Sequence, residues 1–391
     1  MAELLSLKAN LESFRYNSDM VKKLIIFFVF LLLIGLGGYL VWLNRPKPPI
    51  ESKFVQNIEQ GSNVKEQSIN SDSTGVVVKP PGDYGLVDNP SHTYQTFNNC
   101  GPATLSMMLS WYGKPASQKE LGDKMRPYQV QSGDNDDKTI FTYEFVDWAQ
   151  EYGLNAISRI NGDIDLLKTF TANGIPVVVK TWLHKNEDIG HFRIVRGFDE
   201  GRQVVFQDDS YEGPNKNFSY YDFLSMWQPF NYAYIIVYDE SKKDLVEAII
   251  GTELDEKVAW TNALARAKKE SELDSGNVYP WFNMSASYYH LEDYAGSVAS
   301  FEKVENRMPR RMLWYQIEPI QAYQKLENYN RVFSIIENVL NNGNRAYSEL
   351  YQIRGEIYLA QGNKESARRE FELAIQYNKY YTPAHEALKL F

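Results

Sequence analysis

Cysteine is nearly absent from this chain. Of its 391 residues, Cys100 alone is a cysteine. A single cysteine excludes an intrachain disulfide, so this residue is present either for packing or for its chemistry. Most lone cysteines are small buried apolar residues. A reactive thiol therefore has to be argued from the flanking residues.

Signals for nucleic acid, metals and cofactors are also missing. The formal net charge is −9, and no tract of basic residues occurs, which argues against a nucleic-acid partner. No group of histidine, cysteine and acidic residues has metal-ligand spacing, and no phosphate-binding loop is present. We therefore expect neither a metal nor a cofactor.

One long apolar run stands out near the N-terminus. Residues 24–43 read LIIFFVFLLLIGLGGYLVWL and contain no charged residue. A run of this length is long enough for a transmembrane helix. The run lacks the small-residue cleavage site of a signal peptide, so we expect a retained signal anchor. The basic residues before it are Lys8, Arg15, Lys22 and Lys23, and those after it are Arg45, Lys47 and Lys53. This bias predicts a single-pass protein of the cell membrane, with residues 1–23 inside and the later domains outside the cytoplasm.

Three further regions follow the apolar run. Residues 44–88 are rich in proline, serine, asparagine, glycine and lysine, which predicts a flexible linker. Residues 89–240 alternate helix-like and strand-like segments and predict an α+β domain. Residues 244–391 have helical patterns only. Within residues 89–240, helices come first and β-branched strands such as PVVVKTW follow.

The flanks of Cys100 favour a nucleophile. The sequence continues with Gly101-Pro102 and a helical run, and proline is favoured at the first position of a helix. We therefore expect Cys100 just before a helix N-terminus, where the macrodipole and free N–H groups stabilise a thiolate. The amide of Gln95, shortly upstream, is a candidate donor to a developing oxyanion.

A base and an orienting acid can be proposed from the later strands. His191 begins the strand-like run HFRIVRGFD, and Asp208 and Asp209 follow the next strand, predicted over residues 203–207. A cysteine nucleophile needs a base, and the base needs a group to orient it. The sequence thus contains a candidate triad of Cys100, His191 and an aspartate.

These residues resemble the bacteriocin-processing, double-glycine leader peptidases of the papain-like cysteine peptidases. The resemblance covers about residues 90–238 and implies that Cys100 is the nucleophile, His191 the general base and Gln95 the oxyanion donor. It places the acid at Asp209 or Asp208. Asp209 is preferred because a turn follows it, and the choice stays open because the Asp-Pro frequent in the family is absent.

The C-terminal region repeats with a period near 35 residues. The segments LEDYAGSVASFEKV, LENYNRVFSIIENV and AQGNKESARREFELAI share a turn followed by a helix. They resemble tetratricopeptide repeats, whose period is 34 residues. About three units are expected, the middle one degenerate because Glu318 occupies a small-residue position. A leading helix pair is predicted over residues 245–273. Such repeats stack into a solenoid with a concave binding surface.

Together these patterns predict a papain-like α+β cysteine peptidase, tethered to the membrane and followed by an all-α tetratricopeptide solenoid. Its substrate is expected to be a peptide or protein, cut after small residues if the family specificity holds. The repeats are expected to bind a protein partner or the substrate and to be separable from the active site. Two alternatives remain: an inactive peptidase-like binding or scaffold protein, and a transpeptidase or amidase on the same scaffold.

Overall fold

The computed structural model describes residues 76–89, 91–128 and 139–391. The predicted cytoplasmic segment (1–23), the predicted transmembrane helix (24–43) and most of the predicted linker lie outside the described residues. Among the helices of the described ranges, none combines the length and apolar character needed to cross a membrane.

An antiparallel seven-stranded sheet forms the centre of the first domain. Its order is β2-β7-β3-β4-β5-β6, and β1 pairs with the second half of β4. The strands are β1 (Tyr84–Leu86), β2 (Asn155–Arg159), β3 (Val177–Trp182), β4 (Gly190–Asp199), β5 (Val204–Asp209), β6 (Gly213–Ser219) and β7 (Tyr234–Tyr238).

Helices cover both faces of this sheet. They are α1 (Cys100–Trp111), α2 (Gln118–Met125), α3 (Thr142–Glu151), α4 (Ile164–Ala172) and α5 (Tyr220–Trp227). Strand side chains alternate between the faces. Val178 therefore packs with α1 to α3 on one side, whereas Val177 and Val179 pack with α4 and α5 on the other. The expected α+β domain is thus built around two buried apolar layers.

The C-terminal region is entirely helical. It contains α6 (Lys243–Ile250), α7 (Glu256–Leu273), α8 (Val278–His290), α9 (Tyr294–Glu302), α10 (Met312–Tyr315), α11 (Glu318–Lys325), α12 (Tyr329–Asn341), α13 (Ser348–Ala360), α14 (Lys364–Tyr377) and α15 (Thr382–Leu388). The three matched segments form helical hairpins, α8–α9, α11–α12 and α13–α14. Each turn has a left-handed residue at the same place, namely Glu292, Glu327 and Gly362.

The middle repeat is irregular, as its degenerate sequence predicts. Its first helix, α11, has 8 residues, whereas α8 and α13 have 13 each. The preceding segment forms the separate short helix α10. Tyr315, at the end of α10, packs against the repeat core and also against Trp182 and Phe230 of the sheet domain.

Two predictions at the domain edges were wrong. The last part of the predicted linker is structured, because β1 pairs with Gly197–Asp199 of β4. Gly197 permits this approach, since a Cβ there would lie 2.1 Å from the carbonyl oxygen of Gly85. Helix α6 is not half of a leading repeat pair: Val246 and Ile250 are buried in the apolar layer beneath the sheet.

The repeats are also not a separable module. Trp182, Met226 and Phe230 of the sheet domain belong to the same buried cluster as the repeat core. Arg126 of the sheet domain is 2% exposed and forms a bidentate pair with Glu349 of α13, at 2.8 and 3.2 Å. Burial of this kind joins the two regions into one packed unit.

Candidate active site

Cys100 occupies the first turn of α1. The helix begins at Cys100 itself, with Asn99 as N-cap, rather than at Pro102 as predicted. Pro102 is instead the third helical residue, where it also lacks an intrahelical N–H bond to lose. Asn98 has a left-handed backbone with φ of 51°, which turns the chain sharply into the helix.

The Cys100 thiol has a lowered pKa. Burial alone would raise it, but the hydrogen bond and charge of His191, the backbone N–H of Phe192 and the charge of Lys180 together outweigh burial. The result is the environment that stabilises a thiolate.

His191 is the second residue of β4 and is 2% exposed. Its Nε2 lies 2.9 Å from Oδ1 of Asp209, so the hydrogen bond with Cys100 falls to Nδ1. Burial works to lower the pKa of His191, but the hydrogen bonds and charges of Asp209 and Cys100 raise it above its ordinary value. The opposite shifts of thiol and imidazole favour a thiolate–imidazolium pair.

Asp209 is held as a carboxylate by several donors. Oδ1 accepts hydrogen bonds from His191 and from the backbone N–H groups of Tyr211 and Glu212, at 2.7 and 2.9 Å. Oδ2 accepts from Nε of Arg193 at 2.8 Å. Burial opposes ionisation, yet these partners hold the pKa of Asp209 well below its usual range.

Asp208 points elsewhere. Its side chain pairs with Nε of Arg196 at 2.7 Å and also contacts Asn89 and the backbone N–H of Asn215. Strand β5 extends through both aspartates, whereas the sequence placed them after its end. Consecutive strand residues face opposite sides. Asp209 alone of the two therefore meets His191.

Gln95 is anchored beside the turn that follows β5. Its backbone N–H donates to the carbonyl oxygen of Ser210, and its Oε1 accepts from the Ser210 hydroxyl, both at 2.8 Å. Gln118, the first residue of α2, fixes the same loop by bonding Thr96 and Tyr94. Within the described part of the chain, the Gln95 amide nitrogen has no acceptor, so it remains available as a donor.

Arg193 was missed by sequence reasoning. It is fully buried, and besides Asp209 it donates to Oγ1 of Thr181 and to the carbonyl oxygens of Trp182 and Leu183. An arginine between the apolar residues Phe192 and Ile194 was the available signal, because a buried guanidinium requires a partner. Arg193 thus fixes Asp209 from the side opposite His191.

Lys180 was also missed by sequence reasoning. The available signal was again a charged residue among apolar ones, because Lys180 is the one charged residue of PVVVKTW. Its Nζ donates to the carbonyl oxygen of Ile140 at 2.9 Å and lies 5.4 to 5.6 Å from the centroids of four aromatic rings. These rings belong to Phe141, Phe192, Phe230 and Tyr315. Burial lowers the pKa of Lys180 to about 8. Its charge acts directly on Cys100.

Tyr315 brings the repeat region to this site. Its ring packs against Gly190, the residue before His191, so closely that a Cβ there would lie 2.8 Å from Cε1. It also contacts Trp182 and Phe230 edge-on. Among the described residues, no group of three or more His, Cys, Asp or Glu side chains is placed to hold a metal.

Comparison with known proteins finds one matching family model. Residues 87–235 match the model of the Peptidase_C39 like family. The predicted resemblance to the double-glycine peptidases, followed by a tetratricopeptide region, is confirmed. No curated protein sequence gave a match.

Similar solved structures fall into two groups. The peptidase domain of Streptococcus ComA, a bifunctional ABC transporter in a quorum-sensing pathway, is 20% identical and covers 40% of this chain and 98% of its own, with a TM-score of 0.30. A double glycine motif protease from an AMS/PCAT transporter, solved with its leader peptide, is 20% identical. The match covers 40% of this chain and 94% of that protein, with a TM-score of 0.30. A thermophilic TPR protein of Thermus thermophilus is 16% identical. The match covers 36% of this chain and 78% of that protein, with a TM-score of 0.30.

Proposed function

We propose that this protein is a cysteine peptidase that hydrolyses peptide bonds through Cys100, His191 and Asp209. The observation that carries the proposal is the hydrogen-bonded chain from the thiol to His191 and on to the ionised Asp209. A lone cysteine kept only for packing needs neither a buried imidazole nor an oriented carboxylate beside it.

The geometry supports a two-step acyl transfer. His191 holds the proton taken from Cys100, and the thiolate attacks the substrate carbonyl carbon to form a tetrahedral intermediate. His191 then returns the proton to the leaving amine, and an acyl-enzyme forms. Water, deprotonated by His191, releases the acid product and restores the thiol. Asp209 orients the ring and stabilises its charged form.

Gln95 is proposed as the oxyanion donor, the role that the family resemblance implies. Its carbonyl oxygen is held by Ser210, so the free NH2 group is fixed rather than mobile. A donor already in place when charge develops on the substrate oxygen stabilises the transition state more than the ground state. The backbone N–H groups at the start of α1 supply the second donor.

The substrate is proposed to be a peptide or protein. The family resemblance implies cleavage after small residues, typically Gly-Gly. The protein is further proposed to be anchored through residues 24–43, with the peptidase and the repeats outside the cytoplasm. Added protease should then remove the described domains from intact cells or spheroplasts. Protection until the membrane is breached would reverse this topology.

Thiol reactivity tests the enzyme against the inactive-scaffold alternative. Iodoacetamide should label Cys100 in the native protein faster than a free thiol near neutral pH, because His191 and the helix N-terminus stabilise the thiolate. His191→Ala should slow labelling. Equal, slow labelling of both proteins would favour a binding protein. Product analysis with an added amine nucleophile would separate hydrolysis from transpeptidation.

A further inference from the structure

A cavity of about 710 Å³ lies between the sheet domain and the inner face of the repeats. Lys180 and Phe230 line it from the sheet domain, and Tyr315, Glu318 and Gln352 line it from the repeats. It adjoins the candidate active site, because the ring of Tyr315, which lines it, packs against Gly190, the residue before His191. A peptide bound at Cys100 would therefore have a neighbouring cavity within reach.

The repeat side of this cavity carries two carboxylates that, among the described residues, have no direct ion pair to lysine or arginine, although the charge of Lys180 acts on Glu318 from across the cavity. Glu356 accepts hydrogen bonds from the neutral amides of Gln324 and Gln352, at 2.7 and 2.9 Å. Glu318 has His290 as its ionisable neighbour, 3.6 Å away. In the described ranges, neither carboxylate pairs with a lysine or an arginine.

Apart from Lys180, the other charged groups of the lining form ion pairs. Glu349 pairs with Arg126, which also pairs with Glu144, and Glu256 lies 3.4 Å from Arg159. Lys180 stands at the Cys100 end, enclosed by aromatic rings. The unpaired charges of the cavity are thus separated: the positive group lies toward Cys100, and the negative groups lie on the repeats.

Two buried acceptor atoms in the lining lack donors. Oε2 of Glu318 and Oε1 of Gln352 are buried, and within the described part of the chain neither accepts a hydrogen bond. Gln352 as a whole is 8% exposed. A buried acceptor without a donor is costly, more so when it is charged. Several N–H groups entering the cavity together would satisfy both.

Aromatic rings complete the wall beside these acceptors. Trp260 stacks on His290 with 3.9 Å between ring centroids, and Tyr289 and Tyr143 also line the cavity. Ring faces attract cations, and guanidinium groups stack on them. Carboxylates, an amide oxygen and ring faces together form the environment that a guanidinium prefers, because it has five N–H donors in a planar fork.

We propose that this cavity binds an arginine side chain of the peptide that Cys100 cleaves, so that the repeats select substrates with a basic residue beside the cleavage site. This inference rests on the proposed peptidase function for its connection to Cys100. The binding itself does not require cleavage. It is therefore tested on protein in which the nucleophile has been replaced.

The experiment uses the full-length Cys100→Ala protein and fluorescein-labelled glycine–alanine peptides that contain one arginine or, as a neutral isostere, one citrulline. Fluorescence anisotropy should show the arginine peptide binding about ten- to hundredfold more tightly, the range for hydrogen bonds that involve charged groups. Equal affinity of the two peptides for folded protein would overturn the proposal.

Variants locate the binding. Glu318→Gln, added to Cys100→Ala, should weaken arginine-peptide binding about tenfold or more and leave the citrulline peptide unchanged. Glu356→Gln serves the same purpose at an exposed position that tolerates substitution. Glu365→Gln is the matched control, because Glu365 lies on α14 outside the cavity with 83% of its side chain exposed. Equal effects at Glu318, Glu356 and Glu365 would contradict the site.

Failure of this inference can be told apart from failure of the proposed function. Iodoacetamide labelling of the parent protein, measured in the same preparation, reports on Cys100 alone. Fast labelling without arginine preference removes the cavity proposal and keeps the peptidase. Arginine preference with slow, His191-independent labelling supports the cavity and removes the peptidase.

Discussion

Gly190→Ala tests how firmly the repeats fix the strand that carries His191. A Cβ at this position would lie 2.8 to 3.0 Å from three ring carbons of Tyr315, whereas nonbonded carbon atoms prefer about 3.5 to 4.0 Å. The ring cannot easily rotate away, because it packs edge-on against Trp182 and Phe230 with centroid distances of 5.7 and 5.9 Å. Alanine must therefore displace either Tyr315 or the start of β4.

The size of the effect follows from this contact. Overpacking a filled site typically costs about 1 to 3 kcal/mol, so we expect Gly190→Ala to lower the free energy of unfolding by that amount. Tyr315→Ala should itself destabilise, since it leaves space beside Trp182. In the double variant the clash is gone. It should therefore be about 1 to 3 kcal/mol more stable than the sum of the two single effects predicts.

Urea unfolding followed by circular dichroism measures the stability, and the iodoacetamide rate at Cys100 measures the site. Gly190→Ala should slow labelling as His191 shifts, and the added Tyr315→Ala should restore part of the rate. Gly82→Ala is the control, because a Cβ there meets nothing within 4 Å. A Gly190→Ala protein that matches this control, or strictly additive effects, would refute the reasoning.

Three further predictions concern the charge of the site and the role of the repeats. The labelling rate of Cys100 should rise below the pH range of a free thiol, because the pKa of the thiol is lowered. Peptide turnover should also fall as His191 loses its proton above its ordinary range, because the pKa of the imidazole is raised and the leaving amine needs that proton; a single labelling transition near pH 8.5, the ordinary thiol range, would contradict this. Asp209→Asn should reduce peptide turnover far more than Asp208→Asn, measured as kcat/KM, and the reverse order would show that the other carboxylate orients the base. Deletion of residues 244–391 should leave a poorly folded protein with little turnover, since it exposes apolar side chains of the sheet domain. A truncated protein that is active and has a cooperative thermal melt would show instead that the repeats are a separable module.

Local sequence signals selected side chains that the structure brings together. A lone cysteine before Gly-Pro, a histidine at a strand start and an aspartate near the end of the next strand are each local features. The structure brings Cys100, His191 and Asp209 together, and Gln95 lies beside the same turn. The choice between Asp209 and Asp208 depends on the strand register. In the sequence, the turn that follows Asp209 was the only guide to that register.

Features that depend on distant contacts could not be predicted. Strand β1 is three residues long, and its pairing depends on the close approach that Gly197 permits. The edge strands β2 and β6 have weak patterns, and β6 includes Gly213 and Pro214. The docking of the repeats depends on Tyr315 and Trp182, which meet across the fold although each lies in a locally ordinary segment.

Hydrolysis of a peptide library by the full-length protein, compared with its Cys100→Ala variant, tests the central claim most directly. The parent should release defined products, and the variant, folded to the same extent by circular dichroism, should lose several orders of magnitude in turnover, because an activated nucleophile has been removed. Undiminished turnover in the folded Cys100→Ala protein would contradict the assignment of a cysteine peptidase.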